Sequence, residues 1–434
     1  MSKFFVCTFG CRCNQADSDA IRESFCRRSM SEAETHLDAE LVVVNSCTVT
    51  QRTDRQVRQM VRRIHRENPK ARLVVTGCYA ERDPQALAAM GGVSLVVGNA
   101  ERERLQELIQ NGACGATASI IRSPFSGGMA FLPPSAPATG GKTRPLIKLQ
   151  DGCDARCSYC IVPFVRGPAR SAHPDAVIAG IERLVGAGYR EIVLTGVNLG
   201  SYGRKLDGFP TLLDLLRRVL SVPGPGRLRL SSIEPMRFSR GVARLAAEDP
   251  RLPPHFHIPL QSGSDRILRR MRRPYTADRF LDLAGYIREI LPDAGIGSDV
   301  MVGFPGERDD DFDKTFELVQ RSPLTYLHVF PFSARDGTAA AAMTEHVPEV
   351  VVRERVRIMR ELSQAKNLEF RRRFVGRSLP GITLAKEEGV GDAVVLTENY
   401  IAARVPKPVE PNRLVTVRII EAHPDYTRAE IQLG

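Results

Sequence analysis

Residues Gly152-Cys153-Asp154-Ala155-Arg156-Cys157-Ser158-Tyr159-Cys160 place three cysteines at intervals of four and three positions. Such spacing lets three thiolates wrap around one inorganic centre. A closed structural zinc site takes four ligands, commonly as paired C-x-x-C units or with histidines. No Cys or His follows within the next dozen residues, His173 being the first, so this set is one ligand short. A four-iron cluster held by three thiolates keeps one iron open, and an open iron can bind a cofactor or substrate. The competing reading is a zinc knuckle that borrows a distant ligand.

The C-x-x-x-C-x-x-C spacing resembles the signature of the radical S-adenosylmethionine (SAM) enzymes. That resemblance implies an open iron that chelates the amino and carboxylate groups of SAM. An electron from the cluster then cleaves SAM, and the 5′-deoxyadenosyl radical takes hydrogen from an unactivated C–H bond. Cys153, Cys157 and Cys160 are then at once metal ligands and the catalytic centre.

Working outward, Pro145–Leu149 reads as the strand that delivers this loop. Helical patterns at 174–187, 211–220, 238–247, 276–290 and 309–321 alternate with strands Glu191–Leu194, Arg227–Leu230, His255–Pro259, Gly297–Val302 and Leu324–Phe330. Six βα-type units predict a partial (β/α)6 barrel, short of the usual eight. The chemistry of such a barrel sits at the carboxyl ends of its strands. The polar residues there are Thr195, Gly196 and Asn198, Ser231, Ser232 and Glu234, Gln261, Asp299, and Ser333 to Arg335. As a set they line one mouth opposite the cysteine loop, although each alone is more often a loop cap. Thr195, Gly196, Ser232, Glu234, Gln261 and Asp299 are the candidate cofactor contacts. Gly303-Phe304-Pro305-Gly306-Glu307 is a turn in which Gly306 relaxes the backbone, near a cofactor or for turn geometry alone.

Upstream, strands at 3–9, 41–45, 72–76 and 95–97 alternate with helices starting near Asp17, at 50–67 and at 102–110. This predicts an open parallel α/β sheet. Cys11, Cys47 and Cys78 each lie just beyond the carboxyl end of a strand, the edge where such sheets bind ligands. Topology thus points to a second metal cluster, against the alternative of three small buried residues. Cys13 competes with Cys11 for the first ligand position. Cys7 reads as core, and Cys26 and Cys114 as structural.

Gly, Ala, Pro and Ser dominate residues 112–143, which marks a boundary. Within it, Met129-Ala130-Phe131-Leu132 is expected to pin the segment to the surface. A long basic helix at 348–373 precedes five short strands, which fit a small all-β barrel of the oligonucleotide-binding sort. The expected organisation is a first domain at 1–115, a linker at 116–142, a core at 143–373 and a terminal barrel at 374–434.

The chain carries 61 Lys+Arg against 50 Asp+Glu, a net charge of +11, which favours a polyanionic partner. Arginines cluster at 52–72, 266–273 and 353–373. Trp is absent and aromatics do not interleave with the basic runs, so no base-stacking platform is expected. No stretch reaches a membrane span, and the N-terminus lacks signal-peptide features, which places the protein in the cytoplasm. Ten cysteines in that compartment argue for metal or redox chemistry.

The whole pattern resembles the methylthiotransferases of the radical SAM superfamily. The match runs through Thr8–Asp17, Asn45-Ser46-Cys47, Thr76-Gly77-Cys78, the 153–160 triplet, Ile161–Gly167 and His257–Ser264, and the terminal barrel resembles the RNA-binding TRAM domain. The resemblance implies two four-iron four-sulfur (4Fe-4S) clusters, with Cys11 rather than Cys13 joining Cys47 and Cys78 on the auxiliary one. It also implies two uses of SAM, as radical source and as methyl donor, and replacement of a C–H bond by C–S–CH3. Such a C–H bond is too strong for acid–base chemistry, so a cofactor must carry the hard step. Asp151–Asp154 and Ser231–Pro235 resemble the branch acting on N6-threonylcarbamoyladenosine in the tRNA anticodon stem-loop. Isopentenyladenosine in tRNA, an aspartate of a ribosomal protein, and a non-catalytic metal-containing RNA-binding protein are the rival readings. An electron donor and a sulfur donor are further implied partners. One departure is Ala172 after Ser171, where the family often has Arg.

Overall fold

In Leu41–Ser46 every residue of LVVVNS is buried, as expected of a strand covered on both faces. The computed structural model describes residues 2–112, 117–125, 131, 143–208, 210–224, 226–385, 391–406 and 408–432. Six parallel strands form the first sheet: β1 Lys3–Thr8, β2 Ser31–Glu32, β3 Leu41–Ser46, β4 Arg72–Gly77, β5 Val93–Val97 and β6 Ser119–Ile121. Their order is β2-β1-β3-β4-β5-β6. Its edge strand β6 lies within the segment expected to be linker. Phe131 reaches the second domain, beneath the ammonium of Lys148; the rest of Met129–Leu132, like Cys114, lies outside the described residues.

The second domain holds β7 Leu146–Asp151, β8 Arg170–Ser171, β9 Glu191–Gly196, β10 Arg227–Leu230, β11 His255–His257, β12 Gly295–Val302 and β13 Tyr326–Pro331. They form two hydrogen-bonded sheets, β10-β9-β7-β8 and β11-β12-β13. Apart from the short antiparallel β8, the strands are parallel, giving the expected six-stranded open barrel. Alternation along each strand sorts its residues. Ile147, Leu149, Ile192, Leu194, Leu228, Leu230, Phe256, Ile296, Val300, Leu327 and Val329 join one hydrophobic core with the outer helices. The alternate positions therefore face the concave side, among them Lys148, Gln150, Thr195, Arg229, His257, Asp299 and His328.

The five terminal strands, β14 Ser378–Thr383, β15 Ala393–Thr397, β16 Ala402–Val405, β17 Leu414–Ala422 and β18 Thr427–Gln432, close into the expected small barrel. Its loop after β15 covers the amino ends of the central strands. Arg229 donates to the carbonyls of Glu398 (3.0 Å) and Thr397 (3.2 Å). Tyr400 stacks on His255 at 4.0 Å between ring centroids. A side chain at Gly295 would meet the Asn399 carbonyl at 2.3 Å.

One expectation is corrected. The first helix spans Arg12–Cys26 and begins at Cys11, not near Asp17. Asp17 is fully buried and spends its carboxylate on ion pairs instead of capping. Among the described residues, no helix is long and apolar enough to cross a membrane.

Candidate functional site

Strand β7 ends at Asp151, and the chain must turn at once to present Cys153. Gly152 does this with φ of +68°, and a Cβ there would lie 2.1 Å from the Pro168 carbonyl, so only glycine fits. The loop is pinned from several sides. Cys153 N–H donates to Gly167 O (3.1 Å), Ser158 N–H to Met271 O (3.0 Å), and Ala340 N–H to Ser158 O (2.7 Å). Gln150, buried on the concave side, donates to the carbonyls of Asp151 and Gly152 at 2.9 and 2.7 Å and accepts from Asn198 N–H at 2.7 Å.

The three thiols sit close enough to perturb one another. Burial pushes the Cys153 thiol up and that of Cys160 up to about 12, and the neighbouring Cys157 adds to both. Such sulfurs ionise only when a cationic centre arrives, as metal ligands do. Arg273 donates to Cys157 Sγ at 3.4 Å and grips Glu234 through both terminal nitrogens.

Around the mouth, Asn198 Oδ1, Ser231 Oγ and Gln261 Oε1 are buried without a hydrogen-bond partner. Gln261 also holds φ at +68°, a conformation that costs a non-glycine residue free energy and collects at ligand sites. Orphaned buried polar atoms call for a polar ligand, and the amino-acid end and ribose of SAM fit that requirement. Of the six candidate contacts, Thr195 and Gly196 end β9, and Gln261 bears an orphaned oxygen. Ser232 Oγ is bonded to His257 Nδ1 (2.7 Å), and Glu234 is held by Arg273. Asp299 lies between His257 and His328, 3.2 Å from a nitrogen of each. Burial alone would raise its pKa, but hydrogen bonds from the two imidazoles hold it below the ordinary carboxylate range. In the Gly303–Glu307 turn, Phe304 packs edge-on against Tyr159 of the cysteine loop, 6.5 Å between ring centroids. Glu307 accepts from Gly303 N–H (2.7 Å) and from Arg355 (2.6 Å), which ties this turn to the helix Glu349–Arg372.

Cys11, Cys47 and Cys78 come together at the carboxyl edge of the first sheet. A Cβ on Gly10 would lie 2.4 Å from Cys47 Cβ, so the residue before Cys11 is pressed against Cys47. Asn14 Oδ1 accepts from Cys11 Sγ at 3.4 Å and lies 4.0 Å from Cys78 Sγ. Burial, with Cys78 and Cys11 nearby, pushes Cys47 up to about 12, and burial also raises Cys78. A hydrogen bond between the thiols of Cys11 and Cys13 brings Cys11 down to about 6 and raises Cys13 well above the usual range. Cys13 thus adjoins this group as a fourth sulfur. Cys7, inside β1, packs against the hydrophobic core of the first domain.

Two buried arginines lock the two sets face to face. Arg166, on the short helix Val162–Arg166, donates to Asp151 Oδ1 (2.8 Å), Asn14 Oδ1 (2.7 Å) and Asp17 Oδ2 (3.0 Å). It therefore joins the root of the Cys153 loop to the root of the Cys11 helix. Arg102, Lys148 and Arg170 complete the cluster, so four cationic side chains meet two carboxylates. Beside it, Cys78 packs on Ile161 and Val165, immediately after Cys160. At the far edge, Arg335 donates to Thr48 Oγ1 and Asp54 Oδ2, both at 2.6 Å, which seats the segment after β13 on the Cys47 turn.

Sequence reasoning missed Asn14, Gln150, Arg273 and an aromatic stack running through Tyr400, His255, Tyr326, His257 and His328. The stack lies mostly inside the central barrel, with His255 and His257 buried, and is not a surface platform interleaved with the basic runs. Its five rings come from two strands, β11 and β13, and the terminal barrel, so no local pattern announces it. Asn14, Arg166 and His257 lay within the quoted segments Thr8–Asp17, Ile161–Gly167 and His257–Ser264, but without a role of their own.

Residues 3–98 match the uncharacterized protein family UPF0004, and residues 147–319 match the radical SAM superfamily. The chain is 35% identical to the threonylcarbamoyladenosine tRNA methylthiotransferase MtaB of Aquifex aeolicus, covering 95% of this chain and 98% of that protein. It is 34% identical to MtaB of Bacillus subtilis, over 98% of this chain and 95% of that one. A tRNA-2-methylthio-N(6)-dimethylallyladenosine synthase of Pelotomaculum thermopropionicum is 32% identical over 87% of this chain and 86% of its own length. Among solved structures, the radical SAM methyltransferase TsrM of Kitasatospora setae, with cobalamin and a 4Fe-4S cluster bound, superposes with a TM-score of 0.59. The match covers 79% of this chain and 74% of TsrM at 15% identity, a likeness of fold.

Proposed function

Because this chain belongs to the radical SAM tRNA methylthiotransferases, we propose that its substrate is N6-threonylcarbamoyladenosine beside the tRNA anticodon. The product is the 2-methylthio derivative. As a member of that family it uses SAM and a 4Fe-4S cluster and transfers a methylthio group to tRNA. In this reading Cys153, Cys157 and Cys160 hold the cluster that meets SAM, and Cys11, Cys47 and Cys78 hold a second one. When bound, the two centres supply the electron that cleaves one SAM and the sulfur that a second SAM methylates.

The observation that carries this reading is the meeting of the two cysteine sets, with Cys78 packed against the residue that follows Cys160. The chain's own groups then have distinct duties. Gln150 and Gly152 fix the turn into the radical loop, while Arg273 holds Glu234 beside Cys157. Thr195, Gly196, Ser232, Glu234, Gln261 and Asp299 line the SAM side of the mouth. Arg166 sets the spacing of the two sets and places positive charge beside thiolates that burial disfavours. The terminal barrel closes the amino ends of the central strands against water.

The substrate choice is supported by the names of the relatives at 34–35% identity and is tested by nucleoside mass spectrometry. tRNA from a deletion strain should accumulate N6-threonylcarbamoyladenosine and lack its 2-methylthio form, restored by this chain. Loss of the 2-methylthio isopentenyl nucleoside instead would overturn the assignment. Anaerobic reconstitution should give about eight irons per chain for two clusters.

A further inference from the structure

We propose that His328, seated on Asp299 at the open side of the concave face, reads the carboxylate of the N6-threonylcarbamoyl group. The inference rests on the substrate assignment above and names the contact that enforces it. His328 is the third residue of β13 and its side chain is 62% exposed, with Nδ1 3.2 Å from Asp299 Oδ1. A carboxylate beside Nδ1 keeps the proton on that nitrogen. Nε2 is then the nitrogen left to face outward, and with the ring protonated it donates to an acceptor. The ring cannot wander, because it lies 4.9 Å from that of His257, whose Nε2 is 3.2 Å from the same Asp299 oxygen.

The location suits a group attached to the reacting base. Ser232 bonds His257 (2.7 Å), and two residues further on Glu234 meets the arginine that touches Cys157. A chain of contacts thus links His328 through Asp299, His257 and Ser232 to the strand end that carries Glu234.

The surrounding wall is built for a polar guest. Besides Asp299, the rings of His257 and Tyr326 flank His328, at 4.9 and 5.5 Å between centroids, each carrying polar atoms. An isopentenyl chain would cover these atoms and pair with none of them. The threonylcarbamoyl group brings a carbonyl, a hydroxyl and a carboxylate. Sites built to hydrogen-bond a substrate reject analogues that lack the bonding groups far more strongly than apolar pockets reject a methylene.

The test uses reconstituted holoenzyme and an anticodon stem-loop carrying N6-threonylcarbamoyladenosine, either as the free acid or as its methyl ester. His328→Phe keeps an aromatic ring and loses the donor, and His328→Gln restores a side-chain donor on a different frame. For the wild type, KM should rise at least tenfold from acid to ester. His328→Phe should show that rise already on the acid and no further rise on the ester, with His328→Gln intermediate. Formation of 5′-deoxyadenosine without RNA should be unchanged in both variants, which also reports that they fold. Equal KM for wild type and His328→Phe on the acid, or an ester accepted as well as the acid, would overturn the proposal. The side-chain donor atoms of His257, Asp299 and His328 all lie within 4.8 Å of one another. Loss of the acid preference after EDTA, regained with Zn2+, would therefore mean that a cation bridges them, and the direct contact would fall. If the wild type modified only an isopentenyl stem-loop, the substrate assignment itself would have failed, a result distinct from all of these.

Discussion

Cys153, Cys157 and Cys160 share one loop after one strand, whereas Cys11, Cys47 and Cys78 follow three different strands and meet only when the sheet has formed. The first set takes its geometry from a single glycine turn and its hydrogen bonds. The second takes its geometry from strand order and from an arginine of the neighbouring domain. Local lesions should therefore silence the first set, and lesions at the domain junction the second. The same division separates their chemistry, since one set lies beside Glu234 and Arg273 and the other beside a cluster richer in cations than in carboxylates.

The sharpest division comes from paired cysteine variants. Cys157→Ala should reduce 5′-deoxyadenosine formation to background, read by chromatography. Cys47→Ala should keep that cleavage, lose methylthio transfer and retain about four irons in place of about eight. Equal loss of both activities in Cys47→Ala would break the division of labour. Gly152→Ala comes next, because its Cβ would collide with Pro168 O at 2.1 Å. It should lose most of the iron of the first set and leave that of the second, measured by Mössbauer spectroscopy.

Arg166→Met should destabilise the chain by about 1–3 kcal/mol in a thermal melt, the cost of leaving buried hydrogen-bond partners unmade. The loss is no larger because Arg102, Lys148 and Arg170 still balance Asp17 and Asp151. Arg335→Met should cost less, because Arg82 remains 3.3 Å from the carboxylate that Arg335 leaves behind. A larger loss at Arg335 would mean that the Cys47 edge, not the Arg166 junction, holds the domains together. The smallest effect belongs to the surface. Arg404 and Arg428 pair in register, exposed on the terminal barrel. Changing both to Glu should weaken tRNA binding several-fold and lower its salt slope by about two, leaving SAM cleavage intact.

Much of this was legible along the chain. The 153–160 spacing needs no tertiary context, and the strand runs of the first domain place Cys11, Cys47 and Cys78 by topology alone. The start of the first helix was not legible, since Asp17 resembles a cap until its buried partners Arg102, Lys148 and Arg166 are seen. The two-residue β2 and β8 and the three-residue β6 are too short to carry a period. Asp299 was legible as a mouth residue, but not as the shared partner of two histidines, because His328 sits among ordinary β-strand residues. Tyr400 was hidden furthest, since its ring serves a domain other than its own.

That last placement bears on synthesis. A ribosome makes the floor-forming residues around Tyr400 long after both cysteine sets have emerged. A chain stopped before β15 would carry every candidate iron ligand yet leave its reaction chamber open to solvent from beneath. Any radical generated there would be open to water and small thiols, so the loop around Tyr400 shields chemistry whose ligands lie more than two hundred positions upstream in the chain.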